Sequence, residues 1–187
     1  FGEEEFNDYL GKIKEDVEKM NKSETFAEHF GEDIPCWALV ELLSFGTITK
    51  LYKNLKTNCL SELIKSLKRI DEEHLKTSLI SISVLRNICA HRGRLFYKGF
   101  SFAPKLSNKT IKALKSCGNP NTNNRSLFIF MCSILELLNN YKDGEIFIDE
   151  LINVIDNAPS LVDKYRDYGF FENWKNVLYQ INFDNKE

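Results

Sequence analysis

Acid is missing from the middle of this 187-residue chain: from His74 to Leu135 there is no aspartate and no glutamate. That excludes a helix surface neutralised by its own Glu–Lys pairs within the stretch. Ten basic residues occupy it: Lys76, Arg86, Arg92, Arg94, Lys98, Lys105, Lys109, Lys112, Lys115 and Arg125. All 27 acids lie outside, with the other 15 lysines and arginines, so a net charge of −2 conceals a +10 segment within a −12 remainder. Segregation of this kind suits a surface for an anionic partner, phosphate backbones above all. A solvated basic face without a ligand has the same composition, so charge alone does not separate the two readings.

Other absences narrow the class. Only four prolines, beside 43% apolar residues, exclude long disordered linkers and supply a core. No apolar run approaches the ~20 residues of a membrane-spanning helix, so no membrane partner is expected. The five cysteines, at positions 36, 59, 89, 117 and 132, are odd in number and never in C-x-x-C spacing. This excludes a disulfide frame or a zinc knuckle and fits free thiols in a reducing cytoplasm. Cys89, in an apolar helical setting, is expected to pack as a small hydrophobe. No Asp, Glu, His or Cys set has metal-ligand spacing near the residues singled out below, so neither metal nor cofactor is expected. The opening "FGEEEFNDYL" is acidic, unlike a signal peptide, and Phe1 is not an initiator residue; sequence upstream is expected to be missing.

What is present is helical periodicity almost throughout. Phe6, Leu10, Ile13, Val17 and Met20 recur at three- and four-residue steps. Thr25 and Glu28 have capping-box spacing. Pro35 is placed to open a central helix, with Gly46 positioned to bend or interrupt it. Leu60 to Ile70 marks another helix. Asp71 is a cap for the next, which carries Leu75, Leu79, Ile82, Leu85 and Ile88 and ends at Gly93. "RLFYKGFSFAPKL" reads as an extended connector or short hairpin. Ser107 to Ser116 is a short basic helix, "CGNPNTNNR" a loop, and Ser126 the cap of an apolar helix. Asp143-Gly144 breaks that helix, Asn157–Pro159 ends the one after it, and a last helix is predicted over Phe171–Tyr179. The architecture expected is an all-α bundle in a single domain, 1–187. Within it, 1–33 is an N-terminal helical extension, 34–106 the core region and 107–187 the C-terminal helices.

Against this background "SVLRNICAHRGRLFY", residues 83–97, stands out. Arg86, Asn87 and His91, then Arg92 and Arg94, sit among Val84, Leu85, Ile88 and Cys89. Asn87 and His91 are four apart and share a helix face. Histidine is the side chain suited to proton transfer near neutral pH. Arginine keeps its charge and matches phosphate oxygens with paired donors. Such groups suit metal-free RNA cleavage: His91 moves a 2′-hydroxyl or leaving-group proton, Arg86 offsets charge growing on the phosphate, and Asn87 orients His91 or a phosphate oxygen. On residues alone a second reading stands beside it, in which His91 merely ends a core helix and Arg86 pairs with a surface acid. Tyr97 and Phe100 lie among the basic residues, where aromatic rings stack on bases; core packing is the stronger reading for Phe100. His29 and His74 lack matching partners and are expected at the surface or in caps.

"RNICAHRGRLF" closely resembles the R-N-x-x-x-H motif of HEPN domains. "IPCWALVELLSFGTITKLYKNL" resembles the other hallmark of the Abi-like (abortive infection) family, P-x-W-x-x-x-E-x-x-S-F-G, carried here by Pro35, Trp37, Glu41, Ser44, Phe45 and Gly46. The likeness is strong over Ile34 to Leu106; beyond Lys115 only helical character is shared. It implies an all-α HEPN-type fold and a metal-independent endoribonuclease of bacterial phage defence, or a toxin, that makes 2′,3′-cyclic phosphate and 5′-hydroxyl ends. Carried over by position, Arg86, Asn87 and His91 are the catalytic set. Arg92, Arg94, Tyr97 and Lys98 are the expected RNA contacts. A homodimer with a composite site is implied, with an antitoxin or regulatory partner as a further expectation. The alternative is a catalytically silent HEPN module that binds RNA or a protein. Glu41, an acid in an apolar helix, needs a polar partner.

Overall fold

The computed structural model describes residues 7–8, 11–15, 18, 43–67, 70–95, 99–119, 125–139, 143–158 and 165–183. The Thr25–Glu28 box, His29, Pro35, Trp37, Glu41, Tyr97 and Lys98 lie outside the described residues. Every regular element described is helical, as expected: α1 Phe45–Lys53, α2 Thr57–Ser66, α3 Glu72–Ala90, α4 Asn108–Ser116, α5 Leu127–Leu138, α6 Gly144–Asp156, a 3-10 turn Tyr165–Tyr168 and α7 Trp174–Phe183. The chain divides into two compact units, 1–57 and 58–187.

In the first unit, α1 starts where its chemistry dictates. Ser44 is extended, and its Oγ accepts the Thr47 N–H at 3.1 Å, satisfying one of the orphan donors of a helix start. Gly46, where a bend or interruption was expected, lies inside the first turn of α1. Ile13 and Leu43 are buried together, with Ile48 and Leu51 packed against them.

In the second unit, α3 and α5 run antiparallel. The contacts fix this: His74 meets Glu136, Ser78 meets Ser133, and Leu85 clusters with Phe130. The interface is unusual in what it buries. Ser78 and Ser81 are 0% and 1% exposed, while Leu79 and Ile82, expected in the core, are only half-buried. The Ser133 hydroxyl donates to Ser78 Oγ at 2.8 Å, and Ser81 Oγ donates to the Thr77 carbonyl at 2.7 Å. Hydroxyls paired in this way are buried without loss. A larger core joins α4, α5, α6, the 3-10 turn and α7. At its centre Phe128 packs tilted on Phe170 and edge-on to Phe171 and Trp174, arrangements that aromatic quadrupoles favour. The final helix, Trp174–Phe183, starts three residues later than expected: Phe171 is a buried core residue ahead of it. The segment between α3 and α4 has no regular structure among its described residues; it forms no hairpin there.

His74 is not a surface residue. It is 2% exposed, and its Nε2 lies 2.8 Å from Glu136 Oε2. Glu136 Oε1 accepts the Ser107 N–H at 3.0 Å and the hydroxyls of Ser107 and Thr110. A carboxylate out of water demands such a set of donors. The two residues that bracket the acid-free stretch thus close on each other, tying the starts of α3 and α4 to the end of α5.

Candidate functional site

The end of α3 is anchored from below. Leu85 is buried with Phe100 and Phe130, and Val84, Ile88, Leu95 and Leu127 pack on this cluster. Phe100 and Phe130 stack with centroids 4.0 Å apart, so Phe100 is core and takes no part in base stacking. The Phe100 N–H donates to the Arg125 carbonyl at 3.2 Å, which ties the connector to the start of α5 at this same end. With Leu85 and Ile88 directed inward, the helical period turns Arg86, Asn87, Cys89 and Ala90 to solvent, and all four are exposed. His91, Arg92 and Arg94 are exposed as well. Cys89 is therefore not a packing residue. It sits on the open face of the motif, because the expected apolar setting is confined to the opposite side of the helix.

Arg86 Nη1 donates to Asn87 Oδ1 at 3.3 Å. His91 occupies the C-cap, and its backbone N–H donates to the Asn87 carbonyl at 3.1 Å. Its imidazole has no hydrogen-bond or ion-pair partner among the described residues. The structure thus brings Arg86 and Asn87 together and leaves the His91 ring open to solvent.

Helix closure differs from expectation. The left-handed residue is Arg92, φ +52°, and not Gly93. The Arg92 N–H reaches the Cys89 carbonyl at 3.0 Å and the Gly93 N–H the Ile88 carbonyl at 2.7 Å, the two bonds of a Schellman closure. Gly93 is needed one position further on, where a Cβ would stand 2.9 Å from Ile88 Cγ2 and 3.1 Å from its carbonyl oxygen.

The basic stretch does not form one patch. Lys105 is paired with Asp71 at 2.7 Å, Lys76 approaches Glu73 at 3.6 Å, and Lys109 donates to the Ile181 carbonyl at 2.8 Å. α4 starts beside the start of α3, about 21 Å along that helix from Arg86 at 1.5 Å per residue. At the motif end Arg86, Arg92 and Arg94 have no acid partner among the described residues. Sequence reading missed Arg125 as a neighbour of this end; the antiparallel pairing of α3 and α5 puts it there, and no local pattern could have. Among the described residues no three His, Cys, Asp or Glu side chains converge on a metal position, and no helix is long and apolar enough to cross a membrane.

The fold and site thus define an all-helical protein with an exposed R-N-x-x-x-H helix end whose arginines have no acid partner among the described residues. The family follows from a wider match: residues 2–97 fit the model of the Abi-like protein family, and the chain belongs to it. No curated protein and no solved structure matches the chain.

Proposed function

We propose that this chain is a metal-independent endoribonuclease of the HEPN type that acts in bacterial phage defence. The observation that carries the reading is the exposed trio Arg86, Asn87 and His91 on a helix end anchored by Leu85, flanked by Arg92 and Arg94, which have no acid partner among the described residues. The chemistry is transesterification. The 2′-oxygen attacks phosphorus and gives its proton to a base; the bond to the 5′-oxygen breaks, and that oxygen takes a proton from an acid. His91 serves one of these transfers. Arg86 offsets the charge on the phosphoryl oxygens, and Asn87, bonded to Arg86, holds that guanidinium in place. Arg92, Arg94, Tyr97 and Lys98 bind the strand on either side.

One copy supplies one imidazole, and Arg86 and His91 diverge by about 140° around a regular helix. We therefore assign the active form to a two-fold homodimer whose paired helix ends furnish both acid and base. Titrating His91→Ala chains into wild type tests this. Exchange of subunits leaves mixed dimers with one imidazole, so cleavage should fall faster than the wild-type share of chains; activity that tracks that share, with subunit exchange demonstrated, contradicts it. The isolation of the His91 ring from Arg86 within one copy favours a second reading, a silent module that binds RNA or a regulatory protein. Product ends decide: 2′,3′-cyclic phosphate made in EDTA supports the enzyme, and intact RNA bound tightly supports the module.

A further inference from the structure

Beside the motif end of α3 the second unit holds a cavity that the cleavage chemistry leaves unused. Its volume is about 260 Å³, and Leu95, Leu127, Met131, Leu151, Tyr168 and Phe170 form most of its wall. Val154, 56% exposed, lines its open side. Four observations place it next to the site. Leu95 follows Arg94 directly, so their Cα atoms are about 3.8 Å apart. Leu95, Leu127 and Met131 also belong to the cluster that anchors Leu85. The Arg125 carbonyl, two residues before Leu127, accepts the Phe100 N–H. Gly169, φ +84°, approaches Ser126 so closely that no Cβ would fit between them, which sets Tyr168 and Phe170 against the start of α5. The aromatic wall is fixed: Phe170 is 5% exposed, tilted on Phe128 with centroids 4.9 Å apart and edge-on to Trp174 at 5.0 Å.

We propose that this cavity is a base-binding subsite, which takes one nucleobase of the RNA strand whose phosphates Arg92 and Arg94 hold. The inference rests on the RNA-cleaving reading and adds to it a contact with a base. Cations on phosphates position a strand and leave its bases unread. Each base has an apolar π face, and single-stranded RNA is held by stacking that face on protein side chains. Size limits the occupant. Sites for drug-sized ligands begin at about 300 Å³, so this cavity suits one heteroaromatic ring system. The lining carries no charged side chain, so the sugar and phosphate stay outside, on the side where Arg92 and Arg94 are exposed. Apart from the Tyr168 hydroxyl the lining side chains are apolar, so the subsite registers the presence of a base more than its identity.

The test is an abasic scan. A short RNA oligonucleotide keeps one free 2′-hydroxyl, the others being methylated, so that the cut is fixed; each base is then removed in turn. Wild type should cleave about 5- to 100-fold more slowly when the base at one set distance from the cut is missing, the usual worth of one stacked base. Tyr168→Ala removes a stacking face, and Val154→Glu puts a carboxylate at the mouth on an exposed position that the fold does not need. In both, the ratio of intact to abasic rates at that distance should fall towards one; melting temperatures identify a variant that fails to fold, and Val154→Glu then decides alone. A flat scan in a wild type that cleaves overturns this inference and leaves the cleavage reading standing. So does a ratio that survives in folded Val154→Glu. A flat scan with a Val154→Glu chain that no longer dimerises assigns the cavity to a second copy and overturns it too. Wild type that cuts no RNA overturns the cleavage reading and this inference together.

Discussion

Replacing Glu136 with alanine should cost more stability than any other single truncation of a polar side chain in the second unit. Glu136 is 7% exposed and receives four polar contacts, from the Ser107 N–H, the Ser107 and Thr110 hydroxyls, and His74 Nε2. Thr110 and His74 are themselves 0% and 2% exposed, so water cannot replace the lost acceptor without opening the interface. Each buried donor left without a partner costs about 1–3 kcal/mol. Removing the shared acceptor of a buried hydrogen-bond network is among the costliest single changes, and we take about 3–5 kcal/mol for the whole cluster because the donors relax together. At about 2–4 °C per kcal/mol for a chain of this length, the melting temperature should fall by roughly 6–20 °C. Glu136→Gln is the discriminating variant. Its carbonyl still accepts from Ser107 and Thr110, and its amide keeps a polar group facing His74 Nε2. It should lose only about 1–2 kcal/mol. Thermal unfolding followed by circular dichroism reads both. An alanine variant within 2 °C of wild type, or a glutamine variant as damaged as the alanine one, would refute the hydrogen-bond account of this cluster.

Two further outcomes follow from titratable groups. The Lys105 ammonium at 2.7 Å, then the His74 N–H at 2.8 Å, hold the Asp71 carboxyl below the usual carboxylate range. A lowered folded-state value gives stability that is present above the unfolded value of about 3.9 and is lost as pH falls through the folded one. Asp71→Ala, which removes the α3 cap, should therefore cost about 1 kcal/mol at neutral pH, with the gap to wild type closing in melts run below pH 4; a gap independent of pH contradicts the pairing. Burial raises the Cys132 thiol well above its ordinary range, with the Glu136 carboxylate adding to it, whereas Cys89 is exposed. A maleimide should label Cys89 in the native protein within minutes and Cys132 only after unfolding, as mass spectrometry of the digested protein will report; native labelling of Cys132 contradicts the packing of α5.

Helix starts were the most legible part of the fold, because a cap is local chemistry. Asp71 and Ser107 each accept an N–H three residues on, as their residue types demand; Ser44 does the same, although a helix start there was not expected. Ser126 stands at the start of α5 as expected but makes no side-chain capping bond. Helix ends were less legible. Gly93 signals a stop, yet which of two adjacent residues turns left-handed depends on the close approach to Ile88, a three-dimensional fact. His74 was misread because its partner, Glu136, lies on another helix; isolated polar residues are mostly exposed, and nothing local marks this one as paired. The serine face of α3 was misread for a related reason. Apolar periodicity weights Leu79 and Ile82, whereas the interface with α5 buries Ser78 and Ser81. For the site, residue types and spacing pointed to Arg86, Asn87 and His91. Their common exposure, the open position of Cys89 and the division of the basic stretch between the two ends of α3 emerge only from packing.

The central claim is that His91 is a proton-transfer group and not a surface cap. The direct measurement is RNA cleavage in EDTA by wild type and His91→Ala, with RNA affinity and melting temperature determined on the same preparations. His91 is exposed and its ring has no partner among the described residues, so its loss should leave the melting temperature within about 2 °C, a change below 1 kcal/mol. Affinity should stay close to wild type, since Arg86, Arg92 and Arg94 remain, while the cleavage rate should fall at least ~100-fold, the usual worth of a positioned acid or base. Cleavage by His91→Ala at the wild-type rate, or wild-type activity that vanishes in EDTA and returns with magnesium, would contradict the account.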